Sequence, residues 1–574
     1  MLSLALTVNR PHESCRRDNG NLGHLLCLEG GDVSCIAAGV VGGRFCIINA
    51  LARWALCQFL LRSNAAMSFR SSRLYMAAVC YLSLPVFVFF FGWLRLGAGV
   101  LAGLSFFAGL FFLMRSIWRY FAEEVFAFRR EHVAAFIVVF IWLLSTAHGD
   151  FIGTVGVDIP YRDAMYHDLI AYPWPLIYEY DGIGYAFVYY HAFWLVPAGV
   201  SYLLGLGWTG SHVVLFAWTY LGLCLAVLML CELLQARRRR HVLFVCLLFL
   251  FWSAPCLLGM IVKSVFAQTA LYIPDTPGVY AWQFAGGVDH GYRLDYASRT
   301  TYDGIENTYN QYVAMFLVSA MFLRFRFQWH LMAAVSLLLL PFSPFGFVGL
   351  ALLAAGWLVA GGAAGVRGLF RREVVFLALA LCPIYGSYYL SNSMVDDGAA
   401  GSIFYVPLAA YGVVRVGTLL LYLALYFALY LYLVRWDFLG GVRFRYWWIL
   451  GVAAVLPIFR VGKMGDLLWG GSGPVFFVVM VLVMRQVLAA WERRRFWGRD
   501  LLLAVVLGVA VLTPCMQMVA TFRGCVLARQ VMVYPDPEQV QGSFVGHAPE
   551  EIGNFLARGY EDAIFYRYLA KAGV

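Results

Sequence analysis

The sequence predicts an all-α polytopic membrane protein with about thirteen transmembrane helices. Of its 574 residues, 62% are hydrophobic and only 13% are charged, which is too apolar for a soluble domain that must cover its surface with polar groups. Apolar runs close to the roughly 20 residues that cross a bilayer recur along the chain. The arginines lie in short clusters between these runs. This pattern favours one helical membrane domain and leaves no room for a large soluble catalytic module.

Thirteen apolar runs are the candidate spans of this membrane domain. Residues 1–66 are an uncertain N-terminal extension, because Arg44 and Arg53 interrupt their apolar stretch and they do not resemble a signal peptide. Residues 67–132 form a helical hairpin and an inside linker, and residues 133–520 form the transmembrane core with its outside loops. The candidate spans are 74–94, 97–114, 133–149, 211–235, 241–263, 309–326, 330–342, 346–363, 373–390, 416–434, 446–460, 474–490 and 500–519.

The arginine clusters predict the orientation of the chain. With the N-terminus inside, every cluster falls on the inside, as the positive-inside rule requires. The chain is therefore predicted to be a multi-pass protein of the cell's inner (plasma) membrane. Its C-terminal tail, 521–574, lies outside and is expected to hold a helix around 549–572. The net charge of +10 belongs to these loops, so the lipid bilayer rather than nucleic acid is the expected partner. The clusters are 115–130, 237–240, 324–326, 367–372, 435–445 and 493–495.

Residues 186–206 decide the topology of the first half. They are apolar enough to span, but a span here would move Arg237–Arg240 outside. Four consecutive arginines are costlier to place outside than an amphipathic segment is to lay along the interface. We therefore expect an interfacial juxtamembrane helix within a first outside loop, 150–210. A plain span, with irregular topology elsewhere, is the alternative.

The first outside loop is the best candidate for chemistry because it is rich in carboxylates. Such acids beside a membrane can bind a divalent cation, Mg²⁺ or Mn²⁺, or supply a general base. Asp158 is the predicted catalytic residue, since Pro160 is expected to open a helix that places Asp158 near its positive end. Simple helix capping by Asp158 is the alternative. The other candidate acids or metal ligands are Asp150, Asp163 and Asp168.

Asp163 and His167 stand four residues apart and would share one face of that helix. We expect them to form a surface pair rather than part of a catalytic site. No cysteine has the spacing of a metal ligand set, and which residues would hold a metal stays open.

Four basic residues are candidates for binding a lipid phosphate or a phosphorylated donor. Arg293 and Arg299 lie among tyrosines in the second outside loop, 264–308, and arginine forks suit phosphate oxygens. Arg460 and Lys463 lie at the outer end of a span, at the depth of lipid headgroups. An ordinary solvated loop and snorkelling cations are the alternatives for the two pairs.

The order of these parts has a precedent. Asp158 follows the span that ends near Gly149, then come Tyr189-Tyr190 and Tyr202-Leu-Leu-Gly205, and then the next span. This order resembles the GT-C superfamily of integral-membrane glycosyltransferases, which includes the protein mannosyltransferases and the lipid-A aminoarabinose transferases. In those proteins an acidic residue closely follows an outward span and precedes a juxtamembrane helix with tyrosines. The resemblance is clear over about residues 133–240 and is one of architecture elsewhere.

The resemblance implies a membrane glycosyltransferase with a GT-C-like fold. Such an enzyme would move a hexose or pentose from a polyprenyl-phosphate donor to a glycan, lipid or protein acceptor on the outer face. Two other classes stay open. A transporter or flippase of a lipid-linked or amphipathic substrate predicts ionisable residues within spans and an internal repeat. A non-catalytic membrane assembly protein predicts that no outside carboxylate is individually indispensable.

Overall fold

The computed structural model describes residues 67–152, 159–180, 182–256, 258, 300–392, 419–435, 437–440, 443–459, 461, 466–493, 498–527 and 555–571. The N-terminal extension, 1–66, lies outside the described residues.

The described part of the chain is mostly helical, with five short strands. The helices of the first half are α1 (Ser71–Trp93), α2 (Leu96–Tyr120), α3 (Arg130–Ser145), α4 (Ile159–Ala171), α5 (Ala192–Leu203), α6 (Trp208–Leu233) and α7 (Arg239–Leu250). Those of the second half are α8 (Thr301–Arg324), α9 (Trp329–Leu337), α10 (Pro344–Leu369), α11 (Arg372–Leu390), α12 (Leu419–Leu433), α13 (Arg443–Val455), α14 (Asp466–Arg493) and α15 (Gly498–Phe522). The strands are β1 (Met67–Arg70), β2 (Val125–Phe128), β3 (Ile177–Tyr180), β4 (Ile183–Phe187) and β5 (Leu556–Arg558).

Among the described residues, seven helices are long and apolar enough to cross a membrane, namely α1, α2, α6, α10, α11, α14 and α15. This agrees with an all-α, multi-pass membrane protein. A helix overlaps each of the thirteen predicted spans. Seven of these thirteen helices are the long apolar ones, and the other six are α3, α7, α8, α9, α12 and α13. Whether those six cross the bilayer stays a prediction.

Glycines allow neighbouring helices to approach closely. A Cβ atom added to Gly349 on α10 would lie 2.0 Å from the backbone oxygen of Gly471 on α14. A Cβ atom at Gly109 on α2 would lie 2.8 Å from Leu377 Cγ on α11. Small residues take such positions in membrane helices because backbone-to-backbone packing replaces the hydrophobic driving force that lipid does not supply. Of the seven long apolar helices, α14 is the most enclosed, because 94% of an apolar 18-residue stretch within it is buried.

One end of the bundle, which we call the arginine end, holds Arg237–Arg240 and Arg324. There β1 pairs with β2 in antiparallel fashion. Arg324 Nε lies 3.3 Å from a carboxylate oxygen of the buried Glu232, and Arg324 also forms an ion pair with the exposed Glu124. The hydroxyl of Tyr75 donates to Glu232 at 2.5 Å. The contacts of this cluster connect α1, α6 and α8.

The opposite end, which we call the sheet end, carries the three-stranded sheet β3–β4–β5. Strand β5 brings the C-terminal segment to β4, with Tyr185 opposite Arg558. Arg95, between α1 and α2, donates from Nε to the carbonyl oxygen of Ala570 at 2.8 Å. The C-terminal segment is thus fixed to the first helical hairpin.

Helix α5 lies at the sheet end and is too short to cross the bilayer alone. Its 12 residues extend about 18 Å, against a hydrocarbon thickness of about 30 Å. Its N-cap residue, His191, packs 4.5 Å from the Trp93 ring at the end of α1. Phe193 and Trp194 are buried, whereas Leu203 is 80% exposed. The length and one-sided burial fit the predicted juxtamembrane helix better than a full span.

The structure differs from two sequence-based expectations. Within the expected helix 549–572, the described residues form strand β5 and then only short helical turns, at Tyr560–Asp562 and Phe565–Leu569. The backbone before these turns pairs with β4 and with Val188. Helix α8 begins at Thr301, inside the expected outside loop, and bends at Thr308, where the backbone is not helical. The predicted start of this span, residue 309, coincides with the bend, and the polar turns before it are helical and buried.

Replacing Glu232 with alanine should strongly destabilise the arginine end. Glu232→Ala leaves the partly buried Arg324 with only the exposed Glu124 as an acidic partner, and breaking a buried ion pair costs about 3 kcal/mol or more. We expect a loss of that size in the free energy of unfolding, measured by denaturant titration in mixed micelles. Glu123→Ala removes an exposed carboxylate at the same end. This control should change the free energy of unfolding by less than about 0.5 kcal/mol. Equal losses in the two variants would contradict this role of Glu232.

Candidate functional site

The turn after α3 directs an acidic side chain toward the bundle. Ala147, Gly149 and Asp150 have φ angles of 58°, 81° and 59°, which are in the left-handed region that residues other than glycine rarely adopt. The backbone N–H of Asp150 donates to the carbonyl oxygen of Ala147 at 3.1 Å and closes the turn. Strained backbone of this kind persists where the surrounding structure holds it and is common at functional sites.

Asp150, Asp163 and His212 form a compact cluster at the sheet end. Asp150 Oδ2 lies 2.9 Å from His212 Nδ1. One potential ligand atom from each of the three residues lies within 4.8 Å of the other two. Asp163 and His212 are buried, and Asp150 is nearly so. Three separate segments supply the cluster: the turn after α3, helix α4 and the first turns of α6.

Aromatic and imidazole side chains enclose this cluster. His148 Nε2 lies 2.8 Å from the Thr219 hydroxyl, and its ring packs edge-on against Tyr309 at 4.3 Å. Trp194 of α5 donates from its indole N–H to the Tyr309 hydroxyl at 2.9 Å. The juxtamembrane helix therefore helps to form the wall of the cluster.

A buried cation lies beside the acids. Arg162 of α4 is only 5% exposed, and its Nη1 donates to the Tyr189 hydroxyl at 3.2 Å and to Asn310 Oδ1 at 3.1 Å. Tyr309 interacts electrostatically with Arg162 and with both acids, Asp150 and Asp163. The site thus combines carboxylates, an imidazole, a guanidinium and phenol groups in one enclosed region.

The N-terminal turns of α8 add a second buried polar group. Glu306 accepts from the Thr521 hydroxyl of α15 at 2.7 Å. Asn307 donates to Asp303 Oδ1 at 2.8 Å, and Thr300 donates to Gln517 at 2.7 Å. These contacts show how α8 can bury a polar face, because side chains of α15 complete its hydrogen bonds.

Asp168 has a different role from the Asp150 cluster. It is 1% exposed, accepts from the Tyr178 hydroxyl at 2.7 Å and lies 3.4 Å from His167 Nδ1. Burial raises its pKa. These contacts attach α4 to β3, which is a structural task. The expected surface pair of Asp163 and His167 is wrong, because Asp163 is buried and His167 pairs with Asp168 instead.

The structure brings together two of the predicted site residues, Asp150 and Asp163. The principal candidate, Asp158, lies outside the described residues, as do Arg293, Arg299, Arg460 and Lys463, so their places in the site stay predictions. Sequence reasoning missed His212, Arg162 and Tyr309. An imidazole and a hydroxyl in the outer turns of apolar helices were the available signals, since polar side chains there are expensive unless they serve a purpose.

The cluster can perform two kinds of chemistry. An imidazole fixed by one carboxylate can accept a proton from a nearby hydroxyl. Two carboxylates and an imidazole can alternatively hold a divalent cation, and this mixed set suits Mn²⁺ or Zn²⁺ better than Mg²⁺, which prefers oxygen ligands alone. Comparisons with protein-family models, with curated proteins and with solved structures found no match.

The stability of the protein should depend on pH through Asp168. Because its pKa is raised above the usual 3.8 in the folded state, the folded protein binds more protons than the unfolded chain in the window just above that value. Stability therefore falls as pH rises through this window and levels off above the raised pKa. Asp168→Asn keeps the hydrogen bond from Tyr178 and should remove this fall.

The measurement is the midpoint of thermal denaturation in detergent from about pH 4 to about pH 7. Glu179→Gln changes an exposed acid on the neighbouring strand β3 and should keep the pH dependence of the unchanged protein. If Asp168→Asn has the same pH profile as the unchanged protein, Asp168 is not the source of the pH dependence.

Proposed function

We propose that this protein is an integral-membrane glycosyltransferase that moves a sugar from a polyprenyl-phosphate donor to an acceptor at the sheet end of the bundle. The observation that carries this proposal is the enclosed cluster of Asp150, Asp163 and His212. A cluster of this composition can activate a hydroxyl group, and it lies where membrane-spanning helices meet a juxtamembrane helix.

The order of the parts supports this choice over other hydroxyl-activating enzymes. Helix α3 ends at Ser145, and the acid Asp150 follows five residues later. The tyrosine pair Tyr189–Tyr190 and helix α5 come next, and α6 then returns toward the arginine end. This order resembles that of GT-C glycosyltransferases, in which Asp158 is the predicted acid. Among the described residues, Asp150 is the acid closest to the end of α3.

The roles of the residues follow from their contacts. His212, held by Asp150, accepts the proton of the acceptor hydroxyl, and the acceptor oxygen then attacks the anomeric carbon of the sugar. The bond between that carbon and the lipid phosphate breaks, and the phosphate leaves with the electron pair. Arg162 is the described cation of the site and is suited to stabilising the charge on the departing phosphate. Where Asp163 and Asp150 hold a divalent cation, that ion would supply the same stabilisation.

One observation favours a transporter as the second candidate. Asp303 and Glu306 are buried in α8 at 5% and 8% exposure, and ionisable groups within membrane helices commonly mark ion or proton pathways. Glu306 accepts a hydrogen bond from Thr521 of α15, so a change in its protonation could alter the packing of the two helices. A transporter would use this polar face of α8, whereas the transferase uses the Asp150 cluster.

Asp150→Asn should abolish sugar transfer without unfolding the protein. The amide keeps the size of the side chain but cannot hold His212 as a base, and loss of general-base catalysis lowers rates by about 10²–10⁴-fold. The measurement uses the full chain in lipid vesicles with a panel of polyprenyl-phosphate hexoses and pentoses. Release of polyprenyl phosphate is followed by mass spectrometry.

Glu179→Gln is the matched control, because this exposed carboxylate of the same outside region should leave the rate unchanged. A rate for Asp150→Asn equal to that of the unchanged protein would exclude Asp150 from catalysis. Substrate flux across the vesicle membrane that is lost in Glu306→Gln, with no donor consumed, would favour the transporter. Absence of both activities would leave a membrane assembly protein.

A further inference from the structure

A pocket of about 260 Å³ lies at the arginine end, far along the chain from the residues of the proposed active site. It is bounded by Leu233 at the end of α6, by Arg326 and Phe327 between α8 and α9, by Asp437 and Phe438 between α12 and α13, and by Arg485 on α14. Its volume lies below the roughly 300–1,000 Å³ of sites that enclose a whole small molecule. Such a pocket suits one polar group of a larger ligand or a small ion.

Three arginines converge on the phenylalanines of this pocket. Arg326 lies 4.2 Å from the centre of the Phe438 ring, and Arg485 lies 5.6 Å from the same ring. Arg445, which is 6% exposed, lies behind them, 5.2 Å from the Phe327 ring. Stacking on aromatic faces fixes the planes of the guanidinium groups and leaves their edges available for hydrogen bonding.

Backbone carbonyl oxygens, rather than carboxylates, accept the hydrogen bonds of two of these arginines. Arg326 donates to the carbonyl oxygens of Phe438 and Leu323 at 3.1 Å and 2.8 Å, and Arg445 donates to that of Leu439. In the part of the chain that the structure describes, none of the three arginines has a carboxylate within 4.0 Å. The exposed Asp437 also lines the pocket, and its one negative charge is smaller than the three positive charges of the arginines. The pocket therefore keeps a net positive charge.

The backbone is shaped to admit this arrangement. Gly440 has a φ angle of 81°, and a Cβ atom there would lie 3.0 Å from Arg445 Nη1 and 3.2 Å from the Phe327 ring. The positive charges of Arg324, Arg485 and Arg445 lie close enough to Arg326 to repel it. An anion in the pocket would relieve this repulsion.

We propose that this pocket binds a phosphate group through Arg326 and Arg485, with Arg445 adding positive charge from behind. Arginine forks match phosphate oxygens in geometry as well as in charge. The pocket lies where the candidate membrane span α6 ends and within three turns of the end of α14. In a bilayer that these helices cross, this position would be near the lipid headgroups. Both an anionic phospholipid headgroup and free phosphate carry this chemistry. The site is independent of the proposed transferase activity.

The test compares two probes on the purified full chain in neutral detergent. One probe is phosphatidylglycerol added as mixed micelles, with phosphatidylcholine as the zwitterionic control, and the other is inorganic phosphate. The readout is the midpoint of thermal denaturation as a function of probe concentration. The variants are Arg326→Gln and Arg485→Gln, with the exposed Arg238→Gln of the same end as the matched control. Arg485 is also exposed, so its variant is expected to fold normally.

We expect phosphatidylglycerol to raise the midpoint, and each pocket variant to need a roughly tenfold higher concentration for half of the effect, because it lacks one charge-assisted contact. Arg238→Gln should behave as the unchanged protein. A response to inorganic phosphate with the same dependence on Arg326 and Arg485 would identify a free-phosphate site. A response to neither probe, or equal responses in all variants, would overturn the proposal.

Discussion

The cost of placing charge in hydrocarbon is the constraint on which this structure depends. Ionised groups are rare in membrane helices because each costs several kcal/mol there unless it is paired or reaches water. The chain meets this constraint by placing its charged and polar side chains at the two ends of the helical bundle. At the arginine end, Glu232 compensates Arg324 where helices enter the bundle. At the sheet end, loops and short helices collect the acids, with Asp163 and His212 buried among aromatic rings.

The same constraint explains why the candidate site is built from distant segments. A polar group can be buried beside apolar helices only when partners satisfy it. Asp150, in the turn after α3, contacts His212 of α6, and Glu306 of α8 contacts Thr521 of α15, more than 200 residues later. Once satisfied, such groups are held rigidly in a region of low dielectric, where their charges act strongly on a bound substrate. The burial that makes these residues expensive therefore also makes them suited to catalysis or transport.

The sequence predicts the helices well and the polar pairings poorly, for a physical reason. Apolar length and arginine position are local signals, and a helix overlaps each predicted span. The pairing of Asp150 with His212 depends on tertiary contact, which no local spacing encodes. The polar turns that begin α8 at Thr301 are predicted to be part of a loop, because the residues of α15 that bind them lie far along the chain. The C-terminal segment forms β5 because β4 supplies its hydrogen bonds, a contact that overrides its helical pattern.

The most direct test of the account is to place the two ends on opposite sides of the membrane. Glu179→Cys adds an exposed thiol at the sheet end, and Arg238→Cys adds one at the arginine end. A membrane-impermeant maleimide should label the first in intact cells and the second only after permeabilisation, with the unchanged protein giving the background of its 13 native cysteines. Labelling of Arg238→Cys in intact cells would contradict the predicted orientation, in which the arginine end is inside and the candidate site is outside.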